Sequence, residues 1–212
     1  VADVVYSQVE DHAVFGGVVP ELAAREHLAK IDQLIATLLS DAQVKITDVT
    51  HIAFTQGPGL IGALLVGANY AQGLALGLGC KLIGVHHLEA HIVSPFINHD
   101  FPSTPFLTLL ISGGHTQIIL SKSLGHYEII GESIDDAAGE AFDKTAKIMG
   151  LGYPGGPIIE NIAKNGKSCI NLPRPMKHSR DANMSFSGLK TATRLAFESL
   201  ENISQNQANI AA

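Results

Sequence analysis

The chain has 212 residues, 46% of them hydrophobic and 16% charged, which excludes a disordered chain and predicts a globular protein with one large or two small cores. The formal net charge of −6 hides an asymmetry, since residues 1–143 hold 5 Lys/Arg against 16 Asp/Glu and residues 144–212 hold 9 against 4. The acidic part excludes nucleic-acid binding over the whole surface, and the basic part is either ordinary solvated surface or a face for a polyanion such as RNA.

The first hundred residues alternate between strand and helix patterns. The predicted elements are a strand at Val4–Val9, a turn at Gly16-Gly17, a helix at Pro20–Leu39, a strand at Val49–Thr55, a turn at Gly57–Gly59, a helix at Leu60–Leu78 and a strand at Lys81–Val85. This order predicts a right-handed βαβ layer with parallel strands. The apolar stretch Leu60–Leu78 is interrupted by glycine, asparagine and glutamine, so we interpret it as a buried helix and not as a membrane span.

The pattern changes after residue 103. Three strands with short turns predict an antiparallel meander, and helices follow: Phe106–Ser112, Thr116–Ser121 and Tyr127–Glu132 are the strands, and about Ala138–Met149, Pro157–Lys164 and Ser187–Leu200 are the helices. We therefore predict two lobes around a cleft, the first at residues 1–103 and the second at residues 104–212. Cys80 and Cys169 lie far apart and form no CxxC pair, which is typical of reduced thiols in a cytosol-like compartment.

Three histidines fall within six residues at the end of the first lobe, in the string His86–His91. If Leu88–Phe96 is helical, His87 and His91 lie one turn apart on one face, a separation that suits two ligands of one metal ion. The string is not the HExxH of a zinc protease, because Glu89 does not directly follow the first histidine. Two histidines do not complete a site, so a third ligand must come from elsewhere; alternatively one ring packs or caps and the other is solvated.

Two glycine-rich turns in the second lobe could hold a phosphate. Ser112-Gly113-Gly114 connects two predicted strands, and Gly155-Gly156-Pro157 leads into a predicted helix. Glycine turns and helix N-termini expose backbone N–H groups to anions, so the pair could bracket a nucleotide.

Acidic residues lie between the two glycine turns. Asp143 could accept hydrogen bonds from ribose hydroxyls, or it could pair with Lys144 or Lys147. We expect Asp135 and Asp136 to cap the helix that follows them.

Taken together, these residues resemble the universal tRNA threonylcarbamoyladenosine transferase family, once described as O-sialoglycoprotein endopeptidases. The matching strings extend over nearly the whole chain: Gly17–His27, Gly57–Leu60, His86–His91, Ser112–Thr116, Gly139–Lys144, Tyr153–Pro157 and Phe186–Lys190. The resemblance implies an α/β, actin-like and sugar-kinase-like fold of two RNase-H-like lobes. It implies a cytoplasmic enzyme, or a mitochondrial homologue, that modifies tRNA without a membrane.

The implied activity is transfer of the threonylcarbamoyl group from threonylcarbamoyl-adenylate to the adenosine 3′ of the anticodon, in tRNAs that read codons beginning with A. The resemblance makes His87 and His91 ligands of one divalent ion, iron or zinc. It assigns an adenylate or another ATP-type nucleotide to Leu110, Ile111, Ser112, Gly113, Gly114, Asp143 and Gly156. Implied partners are tRNA, a paralogous actin-like subunit and a small ATPase of the same pathway, with a homo- or heterodimer through first-lobe helices.

The chain departs from the family pattern at both ends. Family members begin with a hairpin that carries a Gly-Ile-Glu-Ser/Thr-Ser-Cys-Asp pattern, and they end with a region that holds an Asp metal ligand and an Asn that contacts the nucleotide. This chain has neither, so we expect weak metal binding and little or no transfer by this polypeptide alone. Two alternatives remain open: an impaired binding or assembly module of the same family, and a carbamoyltransferase with another acceptor.

Overall fold

The computed structural model describes residues 1–168, 170–199 and 203–212, and of residues 203–206 the backbone alone. The fold is α/β, and the chain divides into two compact units, Val1–His99 and Asp100–Ala212. Cys80 is a partly exposed free thiol, and the expectation for Cys169 lies outside the described residues.

The first unit is built on a two-stranded parallel sheet. Its elements are α1 (Val9–Ala13), α2 (Pro20–Ala42), β1 (His51–Gly57), α3 (Ile61–Leu78), β2 (Lys81–His86) and α4 (His87–Val93). The strands pair with His51 opposite Lys81 and Thr55 opposite Val85, and the register shifts at Gln56, so that Gly57 lies opposite His86. This confirms the predicted β1–α3–β2 unit, whose connecting helix crosses between parallel strands.

The predicted strand at Val4–Val9 is wrong. Residues 1–8 form no helix or strand, and α1 begins at Val9. A strand needs a neighbour for its backbone N–H and C=O groups and a core for alternate side chains, yet Val5 is exposed and residues 1–8 pair with neither β1 nor β2. Instead, the imidazole of His12 closes this region, with Nδ1 accepting from the Val19 N–H at 3.2 Å.

Helix α3 packs on β1 and α2, but it is less buried than predicted. Ala71 and Ala75 are its buried residues, whereas Leu65 and Leu76 are exposed. By length and composition α3 is also the one described helix that could span a membrane, a criterion that core helices meet as well. A Cβ at Gly62 would lie 3.0 Å from Ala24 Cβ, so glycine permits the close approach of α2 and α3.

The second unit contains the predicted meander and four helices. Its elements are β3 (Phe106–Ile111), β4 (Thr116–Ser123), β5 (His126–Glu132), α5 (Ala138–Ile148), α6 (Gly155–Ala163), α7 (Ser187–Glu198) and α8 (Ile203–Ala211). The antiparallel order β3-β4-β5 confirms the meander. Helix α8 was not predicted.

The core of the second unit lies among its helices and β4. Helix α5 buries Ala138, Ala141 and Ala146, and α6 adds Ile159 at 3% exposed. Small side chains on α5 let α6 and α7 pack close to its axis, because interaxial distances depend on the side chains at the contact. This packing positions the N-terminal ends of α5 and α6.

Candidate functional site

The histidine string lies where β2 passes directly into α4. His86 is the N-cap of α4, and its Nδ1 accepts from the Glu89 N–H at 3.4 Å. Leu88 and Ile92 are buried at 8% and 3% exposed. These apolar residues, four positions apart, fix which face of α4 packs inward, so His87 and His91 share the adjacent exposed face.

The two imidazoles of that face lie against each other. The ring centroids of His87 and His91 are 4.6 Å apart, with an angle of 68° between the ring planes. This separation of the two rings is compatible with two ligands of one ion, for which the usual zinc–nitrogen distance is about 2.0–2.1 Å. Among the described residues, no group of three His, Cys, Asp or Glu side chains is assembled for a metal. The pair fits two ligands of an ion and leaves its remaining positions to other donors.

An apolar groove of about 480 Å³ lies along β1, α2 and α3, and it includes His87 among its lining residues. Ile31, Ile35, Leu64 and Leu74 are among its apolar lining residues. Such a surface suits apolar groups, so the phosphate-binding features of the chain must be found elsewhere.

The turn between β3 and β4 is closed by the side chain of Ser112. Its Oγ accepts from the His115 N–H at 3.0 Å, and the Ser112 N–H donates to the His115 carbonyl at 2.8 Å. A Cβ at Gly113 or Gly114 would meet no atom within 4 Å. Among the described residues no acceptor bonds the Gly113 N–H, so this backbone donor is unpaired.

The first turn of α5 packs directly on this glycine turn. The Gly139 N–H donates to the Ser112 carbonyl at 3.2 Å, and a Cβ at Gly139 would lie 2.7 Å from that oxygen and 2.8 Å from Gly113 Cα. No side chain fits at position 139 without moving the turn. The buried Thr116 hydroxyl secures the same junction by accepting from the Ala138 N–H at 2.8 Å. Glycine therefore brings α5 and the turn together.

Asp143, one helical turn after Gly139, connects α5 to α6. Its Oδ1 accepts from the Gly155 N–H at 2.7 Å, at the first residue of α6. Lys144 does not pair with it, because the Lys144 ammonium lies 2.6 Å from Asp136 and 2.8 Å from Glu140. The alternative that Asp143 pairs with Lys144 or Lys147 is therefore wrong, since among the described residues neither lysine forms a salt bridge with it. Burial and the nearby negative charge of Asp143 raise the pKa of Tyr153.

Gly156 is the open position at the start of α6. The first N–H groups of an α-helix have no acceptor within the helix. In α6, Asp143 accepts from the Gly155 N–H, and Pro157 has no N–H group. A Cβ at Gly156 would meet no atom within 4 Å. Among the described residues no acceptor bonds the Gly156 N–H, so this donor is unpaired, as is that of Gly113. Helix α5 thus connects the predicted nucleotide-binding residues of the second unit, since Gly139 contacts the Ser112 turn and Asp143 contacts the start of α6.

The expectation that Asp135 and Asp136 cap α5 is wrong. Asp135 instead caps α7, accepting from the N–H groups of Phe186 and Ser187 at 2.8 and 3.2 Å. Burial opposes ionisation, but the hydrogen bonds from Ser185, Phe186 and Ser187 outweigh it and lower the pKa of Asp135. The signal that sequence reasoning missed is that α7 begins at Phe186–Ser187 without a capping side chain of its own.

Asp136 joins α5 to α7 through two ammonium groups. Its carboxylate bonds Lys144 at 2.6 Å and Lys190 at 2.9 Å. The hydrogen bond from Lys144, aided by that from Lys190, lowers the pKa of Asp136 against the opposing effect of burial. The hydrogen bonds to Asp136 and Glu140 raise the pKa of Lys144. This network fixes the N-terminal half of α5, which packs on the turn between β3 and β4.

The histidine pair belongs to the first unit, and the glycine turns with Asp143 belong to the second. Within each unit the side chains are arranged as described above. That both face one cleft, and that they bind a metal and an adenylate, stays a prediction.

Comparison with known proteins gives matches over the whole chain. The model of the TsaD family, tRNA N6-adenosine threonylcarbamoyltransferase, matches residues 1–212. A protein of that name from Polynucleobacter necessarius is 55% identical over 88% of this chain and 53% of its own length. One from Acidovorax sp. is 49% identical over 100% of this chain and 61% of its own length.

The chain thus spans a little over half the length of these curated relatives. Among solved structures, YeaZ from Pseudomonas aeruginosa matches 49% of this chain and 48% of its own at 19% identity, with a TM-score of 0.35 that is too low to establish a shared fold. The family model and the relatives agree on one conclusion. The chain belongs to the tRNA N6-adenosine threonylcarbamoyltransferase family.

Proposed function

We propose that the protein to which this chain contributes transfers the threonylcarbamoyl group from threonylcarbamoyl-adenylate to the N6 amine of the adenosine 3′ of the anticodon, in tRNAs that read codons beginning with A. The observation that carries the proposal is the junction of the Ser112–His115 turn, α5 and α6. It joins two open glycine N–H groups and a carboxylate in one unit. Family membership supplies the identity of the substrate.

In this reaction the amine nitrogen attacks the carbamoyl carbon, a C–N bond forms, and the bond from that carbon to the phosphate oxygen breaks. AMP leaves with the electron pair, and the amine loses a proton. The N–H groups of Gly113 and Gly156 are suited to the phosphate, because backbone donors stabilise an anion that gains charge in the transition state. The Asp143 oxygen that does not bond Gly155 is suited to a ribose hydroxyl.

His87 and His91 would hold the divalent ion, iron or zinc, which when bound polarises a carbonyl group. Their ring spacing of 4.6 Å supports this assignment. We include in the proposal an actin-like fold of two lobes, with the ion and the adenylate at the cleft between them. The proposal also includes two partners, a paralogous actin-like subunit and a small ATPase of the same pathway. It further includes dimerisation through first-lobe helices and a cytoplasmic location.

Equilibrium binding of radiolabelled threonylcarbamoyl-adenylate to the chain tests the site. The wild type should bind it, and Gly156→Val should weaken binding at least about tenfold, equal to about 1.4 kcal/mol, because a branched side chain fills the open space. Glu160→Gln, on the same helix and exposed, is the matched control and should bind like the wild type.

Transfer is measured with the whole protein, as label that becomes attached to tRNA. Label should enter tRNAs that read codons beginning with A and no others. Failure of the wild-type chain to bind the adenylate, or labelling that ignores the anticodon, would overturn the proposal.

A further inference from the structure

The basic residues of the second unit fall into two groups that differ in their contacts. Four have a carboxylate within 4 Å: Lys122, Lys144, Lys190 and Arg194. In contrast, six have none among the described residues: Lys147, Lys164, Lys167, Arg174, Lys177 and Arg180. The last three are exposed and follow at every third position of the segment between α6 and α7. We name residues 174–180 the basic loop; it contains no acidic residue.

The basic loop has a defined backbone. The Lys177 N–H donates to the Arg174 carbonyl at 3.3 Å and the Ser179 N–H to the Met176 carbonyl at 2.8 Å, forming two successive turns. Met176 has a φ of 57°, which such turns require. Asp181 ends the loop by accepting from the Asn183 N–H at 3.1 Å. The three cations are therefore carried by an ordered backbone, which reduces the entropy lost on binding.

The segment after the loop is fastened to the edge of β5. The Met184 N–H donates to the Glu132 carbonyl at 2.9 Å, and the Ile134 N–H donates to the Met184 carbonyl at 2.9 Å. The Asn183 side chain accepts from the Glu132 N–H at 3.1 Å. A Cβ at Gly131 would lie 2.1 Å from the Ala182 carbonyl, so glycine allows this close approach. The loop is thereby fixed relative to the sheet.

This attachment keeps the basic loop near the glycine turn. Asp135, which bonds Ser185 at 2.5 Å, also lines a polar cavity of about 80 Å³ together with Gly114 and His115. Arg180 is five positions before Ser185, and a chain of that length spans at most about 18 Å. Arg180 therefore lies within about 18 Å of the serine that bonds Asp135.

We propose that the basic loop binds the phosphate backbone of RNA. This rests on the proposed function, which makes tRNA the polyanion that must approach the adenylate. The loop favours RNA over an acidic protein, because protein interfaces place apolar and aromatic anchors at their centre and this loop exposes no apolar side chain. Here Met176 is half-buried, whereas Arg174, Lys177 and Arg180 are exposed.

Salt dependence of tRNA binding by the full chain tests this. The loop variant replaces Arg174, Lys177 and Arg180 by alanine. The control variant replaces three exposed cations of the first unit by alanine: Arg25, Lys45 and Lys81. Each phosphate contact contributes about 0.7–0.9 to the slope of log K against log salt, so the loop variant should lose about 2–3 units of slope. When salt is raised from about 50 to 200 mM, both proteins lose tRNA affinity, and the fold-loss of the wild type should be about 20–40 times that of the loop variant.

The control variant carries the same change in net charge and should keep the wild-type slope. Lysine acetylation gives a second measurement, since tRNA should protect Lys177 of the wild type from acetic anhydride but leave Lys45 reactive. Both variants should melt like the wild type by circular dichroism, because the substituted side chains are exposed.

Equal loss of slope in both variants, an unchanged slope in the loop variant, or no tRNA binding by the chain at about 50 mM salt would each overturn the proposal. The proposal would also be overturned if the loop variant lost binding to polyglutamate but bound tRNA like the wild type, because the loop would then bind an acidic protein. Adenylate binding separates the two proposals: if it persists while the tRNA result fails, only the role of the loop is lost. Absent adenylate binding instead overturns the proposed function.

Discussion

Replacing Gly155 and Gly156 one at a time by alanine separates packing from ligand access at adjacent residues. A Cβ at Gly155 would lie 2.6 Å from Ala146 Cβ, 2.8 Å from the Phe142 carbonyl oxygen and 2.9 Å from Asp143 Cα. All three atoms belong to α5, and two of them are backbone, so they cannot rotate away. A Cβ at Gly156 would meet no atom within 4 Å.

The expected costs follow from these distances. Overpacking a close contact costs about 1–3 kcal/mol, and Gly155→Ala should lie at the upper end because α5 and α6 must separate. Gly156→Ala should be neutral or stabilise by up to about 1 kcal/mol, since alanine restricts the unfolded chain. For a chain of this length about 2–4 °C of Tm corresponds to 1 kcal/mol, so the two melting temperatures should differ by roughly 6–12 °C.

Thermal melts by circular dichroism and adenylate binding by calorimetry are the two measurements. Gly155→Ala should melt early, whereas Gly156→Ala should melt like the wild type and bind the adenylate at least about tenfold more weakly. If Gly155→Ala melts like the wild type, the α5–α6 contact is not as close as described. If Gly156→Ala binds the adenylate normally, the open face of α6 is not the nucleotide site.

Three further predictions concern the ion network and the histidine pair. Asp136→Asn should cost about 1–2 kcal/mol in thermal melts, because it removes the only carboxylate within 4 Å of Lys190 among the described residues and one of the two that contact Lys144. Glu128→Gln should cost less than about 0.5 kcal/mol, since the Lys122–Glu128 pair is more than half exposed, and equal costs would refute the distinction. Because the pKa of Asp136 is lowered, its ionised form stabilises the fold above the ordinary carboxyl pKa of about 3.9, and this stability is lost as the pH falls through the lowered pKa. The difference in melting temperature between wild type and Asp136→Asn should therefore shrink near pH 3. A difference that does not change with pH would count against this. His91→Ala should weaken Zn²⁺ binding at least about tenfold in competition with a chromophoric chelator, and an unchanged affinity would exclude the pair as ligands.

The sequence by itself determined the local elements and the motifs that depend on near neighbours. The β1–α3–β2 unit, the β3–β5 meander, and the helices that begin near Gly155 and Ser187 all follow from hydrophobic periodicity and glycine turns. The facing of His87 and His91 likewise follows from a spacing of four on one helix.

Only the tertiary structure decided which distant groups meet. Asp135 caps α7 about fifty positions along the chain, and Asp136 bonds Lys190 of the same helix, although both were expected to cap α5. Val4–Val9 has strand-like residues, but residues 1–8 pair with neither β1 nor β2 and form no strand. The physical reason is the same in each case. A helix end, a carboxylate or a strand is satisfied by whichever partner packing brings within about 3 Å, and spacing along the sequence carries no record of that partner.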